Sequence, residues 1–179
     1  MQGFVYIVDA DESYRADVQR RLEKAGYQVE VYSSGRQLLD RLPTENDPSC
    51  VLLDLRLPDT SGIELQGRLR ELGSTLPIVF FSASTDTAAT VRALKGGAVD
   101  FLTKPVECNE LLRAIKKALE HHRNLCQARS TLDEFRAGLV SLTPRERQVF
   151  GFVVRGKLNK QIAVQLGMAE RTVKAHRHA

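Results

Sequence analysis

The sequence predicts an α/β domain with a five-stranded parallel sheet, followed by a helical linker and a smaller all-α segment. Five short apolar runs alternate with amphipathic stretches over roughly the first 120 residues, which is typical of a doubly wound sheet with right-handed crossovers. No Gly or Pro then occurs between Pro105 and Gly138, and the last 40 or so residues form helical patterns separated by glycines.

The strands are predicted from runs rich in β-branched and aromatic residues. They span residues 4–8, 27–31, 50–53, 77–81 and 99–103. The run at 27–31 alternates between polar and apolar residues, as expected of an edge strand with one polar face, whereas the run at 77–81 is continuously apolar, as expected of a buried strand.

The helices between these strands are predicted from apolar positions at helical spacing and from stop signals. They cover residues 13–25, 35–42, 63–72 and 88–95, followed by Gly26, Pro43, Gly73 and Gly96-Gly97 as terminators. A fifth helix follows Lys104-Pro105 and carries Leu111, Leu112, Ile115 and Leu119.

Polar side chains follow four of the five strands. They are Asp9 and Asp11, Asp54, Ser82 and Lys104. Because the carboxyl ends of parallel strands meet at one crevice, these groups are expected to converge there. Several carboxylates without His or Cys suit Mg²⁺. The group then predicts phosphoryl transfer to Asp54, with the metal and Lys104 neutralising phosphoryl oxygens and Ser82 donating a hydrogen bond.

Two other interpretations of Asp54 are weaker. An isolated Asp at this place often only starts a turn, which leaves the other convergent groups unexplained. A hydrolase with an aspartyl-phosphate intermediate would use the same nucleophile, but one common type carries a second Asp two residues later, where this chain has Arg56. The pattern therefore favours a phosphoryl-accepting protein that is not an enzyme.

Residues 1–122 resemble a receiver domain of a two-component response regulator, which has a flavodoxin-like fold. The resemblance implies that a partner sensor histidine kinase phosphorylates Asp54. It implies Mg²⁺ as cofactor, held by Asp9, Asp54 and the carbonyl of Arg56. It also implies that Lys104 binds the phosphoryl group and precedes a cis proline bond, and that Ser82 and Phe101 form the switch pair.

One position departs from the receiver pattern. Receivers carry two consecutive acids after the first strand, and the second of them, which touches the metal directly, is Ala10 here. Asp11 and Glu12 follow one and two positions later. We expect weakened metal binding, with Asp11 or Glu12 as partial substitutes.

The linker, residues 123–140, is predicted to be helical. Apolar residues fall on it at near-heptad steps, namely Leu119, Leu125, Leu132, Phe135 and Leu139. Such a stripe is equally consistent with a coiled coil between two copies of the chain and with a helix that lies on its own protein.

Residues 141–179 are predicted to form a helix-turn-helix segment. Thr143, Pro144 and Glu146 make a capping box with Pro at the first helical position, Gly156 ends that helix, and Gly167 separates a second helix from a basic third one. The residues Leu-Thr-Pro-Arg-Glu-Arg, Asn-Lys-Gln-Ile-Ala and Glu-Arg-Thr-Val-Lys-Ala-His resemble the LuxR-type DNA-binding domain of NarL/FixJ-family regulators.

That resemblance implies that the third helix enters the major groove of DNA. The residues expected at the DNA are Lys160, Arg171, Thr172, Lys174, Ala175, Arg177 and His178. The family's domain has a fourth helix, so the segment is expected to be incomplete, marginally folded and, in this form, a weak binder without sequence preference.

Charge and composition agree with two different tasks. Residues 1–120 carry 15 Lys and Arg against 18 Asp and Glu, whereas residues 121–179 carry 11 against 4, so a front of charge −3 is followed by a back of +7. No apolar run approaches the roughly 20 residues that span a bilayer, and no signal peptide opens the chain. We therefore expect a cytoplasmic protein without a membrane partner, and buried thiols rather than metal ligands for Cys50, Cys108 and Cys126.

The sequence thus predicts a transcription regulator that is loaded with phosphate by a histidine kinase, pairs as a homodimer when phosphorylated, and binds DNA. The alternative is a receiver that carries phosphate or binds protein without binding DNA in this form. A solvated basic surface is the simplest alternative for the C-terminal charge.

Overall fold

A five-stranded parallel sheet forms the centre of the first part of the chain. The computed structural model describes residues 3–42, 47–83 and 86–177. The strands are β1 (Phe4–Val8), β2 (Gln28–Tyr32), β3 (Ser49–Asp54), β4 (Ile78–Ser82) and β5 (Asp100–Thr103), in the order β2-β1-β3-β4-β5. All neighbours are parallel. The strand order reverses between β1 and β3, so the ligand crevice of such a sheet opens at their carboxyl ends.

Helices connect and follow the strands. They are α1 (Glu12–Lys24), α2 (Gly35–Asp40), α3 (Gly62–Glu71), α4 (Thr87–Lys95), α5 (Cys108–Ser141), α6 (Pro144–Val153), α7 (Asn159–Leu166) and α8 (Glu170–His176). The predicted α/β class and the predicted helix through residues 123–140 are both confirmed, the latter as part of α5. Bounds differ from those predicted by a few residues at most of the ends.

The chain divides into two compact units, Met1–Ala128 and Arg129–Ala179. The domain boundaries expected after residues 122 and 140 stay predictions, because a division by compactness does not locate functional domains.

The first unit has a core on each face of the sheet. One core packs α1 and α5 against the sheet through residues such as Leu22, Leu52, Phe81 and Ile115. The other packs α2, α3 and α4 on the opposite face, with Leu38, Leu65 and Phe80 among its fully buried members. Helices on both faces are what a continuously apolar parallel strand requires.

The second unit has a small core of its own. Val149, Ile162, Ala163 and Val173 are buried, one or two from each of α6, α7 and α8. Gly167 has φ of +61° at the turn between α7 and α8, a conformation that glycine adopts without strain. The glycine turn therefore sets the crossing of the last two described helices.

The expectation of three buried thiols is wrong for two of them. Cys50 is buried in β3, but Cys108 is exposed and Cys126 is partly exposed. Cys108 is the first residue of α5, where the first turn is solvent-accessible, and Cys126 lies beyond the stretch of α5 that packs on the sheet. No described helix is long and apolar enough to cross a membrane.

Candidate functional site

One lysine joins the two aspartates that the sequence places at neighbouring strand ends. Lys104 Nζ lies 2.6 Å from Asp9 Oδ2 and 2.5 Å from Asp54 Oδ2. The three side chains are 10%, 1% and 13% exposed, so these are charge-assisted hydrogen bonds in a largely dry crevice. Two carboxylates share one ammonium, which leaves the cluster with an excess negative charge of one when all three groups are ionised.

The backbone places each member of this cluster. Asp9 follows β1, Asp54 is the last residue of β3, and Lys104 follows β5. The Lys104 N–H donates to the carbonyl of Ser82 at 2.8 Å, which ties the end of β5 to the end of β4. The Lys104-Pro105 bond is cis, as the resemblance implies.

Burial raises the pKa of Asp9 above its ordinary value. The hydrogen bonds from Lys104 and from the Asp11 N–H oppose this shift, and the charge of Asp54 adds to it. The raised pKa shows that the desolvation of Asp9 outweighs its partners, so a further cation in the crevice would be favoured electrostatically.

The loop after β3 holds Asp54 closely. Asp54 Oδ1 accepts the Arg56 N–H at 3.1 Å. Gly62 approaches so closely that a β-carbon there would lie 2.4 Å from the Asp54 carbonyl oxygen. Only glycine permits this approach, and it lets the start of α3 pack directly beneath the aspartate.

Asp59 anchors the same loop to α2. Its two oxygens accept the N–H groups of Gly35 and Arg36 at 3.1 and 2.8 Å. Burial alone would raise the pKa of Asp59, but these N–H donors hold the pKa below its usual value. The helix N-terminus and the carboxylate therefore stabilise one another. Sequence reasoning missed this contact because 24 residues separate Asp59 from Gly35.

The crevice offers a cation fewer carboxylates than the receiver pattern, in which a second acid stands at the position of Ala10. Asp11 Oδ1 accepts the Tyr14 N–H at 3.0 Å as the N-cap of α1, and Ala10 offers no side-chain oxygen. No group of three or more His, Cys, Asp or Glu suited to a metal occurs in the part of the chain that the structure describes. Asp9, Asp54 and the carbonyl of Arg56 still fit Mg²⁺, which binds proteins through one or two carboxylates and takes its other ligands from phosphate and water.

The expected switch residues lie on the two strands nearest Lys104. Ser82 is buried at the end of β4. Phe101 is half-buried on β5, and its ring stacks on Phe80 with centroids 6.2 Å apart. Both residues are placed as predicted, although any coupled movement of the two remains a prediction.

Two aromatic rings near Lys104 were not anticipated. Tyr14 and Phe81 lie with ring centroids 4.8 and 4.4 Å from Lys104 Nζ. The sequence does not predict this contact, because Tyr14 has the pattern of an ordinary helical residue of α1 and Phe81 that of a residue in a buried strand.

The residues expected at DNA are on the surface of the second unit. Lys160 is exposed on α7, and Arg171, Lys174 and Ala175 are exposed on α8, with Thr172 half-buried. Arg177 Nη1 donates to Asn159 Oδ1 at 2.6 Å and so joins the end of α8 to the start of α7. His178 lies outside the described residues.

Arginines that the sequence did not single out support this unit. Arg145 Nη2 donates to the Leu166 carbonyl at 3.1 Å, at the end of α7. Arg147 Nη2 donates to the carbonyls of Leu139 and Val140 near the end of α5. Both satisfy helix-end carbonyls that would otherwise lack partners.

The sheet topology and the Asp-Asp-Lys crevice define a receiver-type protein whose chain continues into a helix-turn-helix unit. Two family models match: the response regulator receiver domain over residues 5–116 and the bacterial regulatory proteins of the luxR family over residues 140–179. The chain belongs to the response regulators that combine these two domains, of NarL/FixJ type. It is a transcription regulator controlled by phosphorylation.

Similar proteins agree along nearly the whole chain. Response regulator protein TodT of Pseudomonas putida is 40% identical over 174 residues, which are 97% of this chain and 76% of TodT. Nodulation protein W of Bradyrhizobium diazoefficiens is 39% identical, over 98% of this chain and 77% of that protein. Among solved structures, response regulator StyR matches with a TM-score of 0.86 and 43% identity, covering 98% of this chain and 88% of StyR. Full-length FixJ from B. japonicum matches with a TM-score of 0.65 and 34% identity, over 98% and 86% of the two chains.

Proposed function

We propose that Asp54 is the phosphoacceptor of this regulator. The observation that supports it is the shared ammonium of Lys104, which lies 2.5 Å from Asp54 where charge develops on a transferred phosphoryl group. An Asp54 oxygen attacks the phosphorus of an N-phosphoimidazole on a partner sensor histidine kinase. As the P–O bond forms, the P–N bond breaks, and its electron pair stays on the imidazole nitrogen, which takes a proton from solvent.

Asp9, Asp54 and the Arg56 carbonyl are the proposed ligands of Mg²⁺, and Asp11 is a proposed further ligand that would have to leave the cap of α1. When bound, the ion neutralises phosphoryl oxygens and so lowers the barrier to transfer. Lys104 supplies the second positive charge, and the hydroxyl of Ser82 supplies a hydrogen bond to the phosphoryl group.

Acetyl phosphate with Mg²⁺ tests this assignment. The wild-type chain should gain the mass of one phosphoryl group, and Asp54→Asn should gain none. Asp40→Asn is the matched control, because it removes an exposed carboxylate at the end of α2 and should leave phosphorylation intact. An adduct that persists in Asp54→Asn would contradict the proposal.

Phosphorylation is proposed to act through Ser82 and Phe101. Movement of the hydroxyl toward the phosphoryl group would let Phe101 follow, which alters the face formed by residues 86–119 and leads two copies to pair there. The apolar stripe of α5, in which Leu132 and Phe135 are exposed, is a second candidate surface for a coiled coil. Light scattering before and after phosphorylation measures the mass, and an unchanged monomer mass would contradict dimerisation.

The DNA-binding role is proposed for α8 as the recognition helix. Lys174 and Ala175 would face bases, whereas Lys160, Arg171, Thr172 and Arg177 would lie near phosphates, with His178 also expected at the bases. We propose the cytoplasm as the site of this work, because a transcription regulator must reach DNA. A gel shift that compares wild type with Lys174→Ala tests the role, and equal retardation of DNA by both would contradict it.

A further inference from the structure

The ammonium of Lys104 lies close to two aromatic rings as well as to two carboxylates. Its Nζ is 4.4 Å from the ring centroid of Phe81 and 4.8 Å from that of Tyr14. The two rings are 5.9 Å apart with an interplanar angle of 31°. A cation within about 6 Å of a ring centroid is attracted by the electron-rich ring face. The ammonium therefore has two kinds of neighbour, charged oxygens and ring faces.

Tyr14 is held at both of its ends. Its backbone N–H donates to the capping carboxylate of Asp11 at 3.0 Å, in the first turn of α1. Its hydroxyl oxygen accepts the N–H of Val106 at 3.2 Å. Because Val106 is two residues after Lys104, this hydrogen bond ties α1 to the segment that carries the lysine. The ring is thus fixed relative to the backbone of Lys104.

Phe81 is held by the sheet. It is fully buried on β4 and lies opposite Asp54 in the parallel register of β3 and β4. Its ring therefore has a fixed position relative to the proposed phosphoacceptor. The Tyr14 ring is therefore fixed relative to the backbone near Lys104, and the Phe81 ring is fixed relative to Asp54.

We propose that Tyr14 and Phe81 are positioning residues that hold the ammonium of Lys104 at the crevice during phosphoryl transfer. The inference rests on the proposed role of Asp54. A lysine side chain has a flexible four-carbon stem, so its position depends on what surrounds its head. When phosphoryl oxygens replace the carboxylate contact to Asp54, the oxygen partners of Lys104 change. The ring contacts do not depend on those oxygens, so they keep the ammonium in place.

A double-mutant cycle separates this role from a general contribution to folding. Tyr14→Leu removes the ring, and we expect it to slow phosphorylation by acetyl phosphate about three- to tenfold. Tyr14→Phe keeps the ring beside Phe81 but loses the hydrogen bond to Val106, so its rate should lie between those of wild type and Tyr14→Leu. In a Lys104→Ala background, Tyr14→Leu should have no further effect, because the ring acts through the lysine. Equal slowing in both backgrounds would overturn the proposal.

A second measurement does not depend on phosphoryl transfer. Ring currents should shift the Lys104 Cε protons upfield in the NMR spectrum of the wild-type chain, a signal assigned by its loss in Lys104→Arg. The signal should move downfield in Tyr14→Leu and in Phe81→Leu. An identical Lys104 shift in wild type and in both variants would overturn the proposal. Failure of the wild type to accept a phosphoryl group would instead contradict the role of Asp54, and the NMR shifts would still decide whether the rings position the lysine.

Discussion

Asp9 is the most deeply buried charge of the crevice, and its ionisation costs the fold stability at neutral pH. Its pKa is raised, so the folded chain holds this proton more tightly than the unfolded chain. The stabilising contribution of the protonated form is therefore fully present below the unfolded pKa and is lost as pH rises through the folded pKa.

Asp9→Asn should be more stable than wild type at pH 7, by an amount of the order of 1 kcal/mol. The amide cannot ionise, and Lys104 keeps Asp54 as its counter-ion. The difference should shrink as pH falls toward 4, because wild-type Asp9 then becomes neutral as well. Urea unfolding of both proteins between pH 4 and 7 measures the difference, and a gap that widens at low pH would contradict the assigned direction of the pKa shift.

Ala10 leaves the crevice one carboxylate short, and restoring it should strengthen cation binding. We expect Ala10→Asp to tighten Mg²⁺ binding about tenfold, which corresponds to about 1.4 kcal/mol. Calorimetric titration measures the affinity. An unchanged affinity would mean that Asp11 or Glu12 already completes the ligand set.

Asp11→Ala is the companion variant, because Asp11 caps α1 in the structure. Loss of the cap should cost about 1 kcal/mol of stability. If Asp11 also reaches the ion, Mg²⁺ binding should weaken in the same variant. Measuring both quantities on one protein separates the capping role from ligation.

The residues of the crevice could be predicted from the sequence because each follows directly from the end of a strand. Asp9, Asp54 and Lys104 come to the same edge of the sheet because the carboxyl ends of parallel strands lie on one side. Tyr14 could not be predicted, since its partner Val106 is 92 residues away and no spacing rule connects them. His122 reads as part of a polar run, yet it is fully buried and its Nδ1 accepts the Ser49 N–H at 3.0 Å.

Among the elements, α3 makes the closest approach to the site. A β-carbon at Gly62 would meet the Asp54 carbonyl at 2.4 Å and Phe80 Cε1 at 2.9 Å. Gly62→Ala should therefore lower the free energy of unfolding by roughly 1–3 kcal/mol and slow phosphorylation, because the strand end must shift.

Gly67 provides the matched control on the same helix. A β-carbon there meets nothing within 4 Å, so Gly67→Ala should raise the free energy of unfolding by about 0.5–1 kcal/mol. Urea unfolding gives both values. Equal stability of the two variants would show that the approach at Gly62 is not as close as the structure indicates.

Strand and helix order could be predicted because hydrophobic period and stop signals are local. The ends of the elements depend on tertiary contacts, so the observed ends differ from the predicted ones more than the order of the elements does. The sequence predicts the helix after β5 and the linker as adjoining segments, but the two form one helix, α5, of 34 residues. The continuity of α5 could be predicted, because no Gly or Pro occurs between Pro105 and Gly138. That only the first half of α5 is buried could not be predicted from this pattern.

For the whole molecule, the separation of charge along the chain predicts a strong dependence of DNA binding on salt. The excess of +7 in residues 121–179 releases counter-ions from DNA on binding. We expect affinity to fall steeply between low and moderate salt, and Lys160→Gln, at an exposed lysine proposed to lie near phosphates, to reduce the slope of log affinity against log salt by about one.

Lys24→Gln is the matched control, because Lys24 is an exposed lysine at the end of α1 in the acidic front of the chain. It should leave the slope unchanged. Fluorescence anisotropy with labelled DNA at a series of salt concentrations measures all three proteins. The same slope in Lys160→Gln and Lys24→Gln would remove Lys160 from the phosphate contacts.

The contact between Asp59 and α2 can be followed by hydrogen exchange, without a probe attached to the protein. The amide protons of Gly35 and Arg36 exchange with solvent deuterium only when their hydrogen bonds to Asp59 open. Their exchange rates therefore count how often the loop after β3 detaches from α2. If the loop after β3 is drawn toward a phosphorylated Asp54, the exchange rates of Gly35 and Arg36 should change together. Deuterium uptake at the first turn of α2 would then measure when the loop after β3 rearranges.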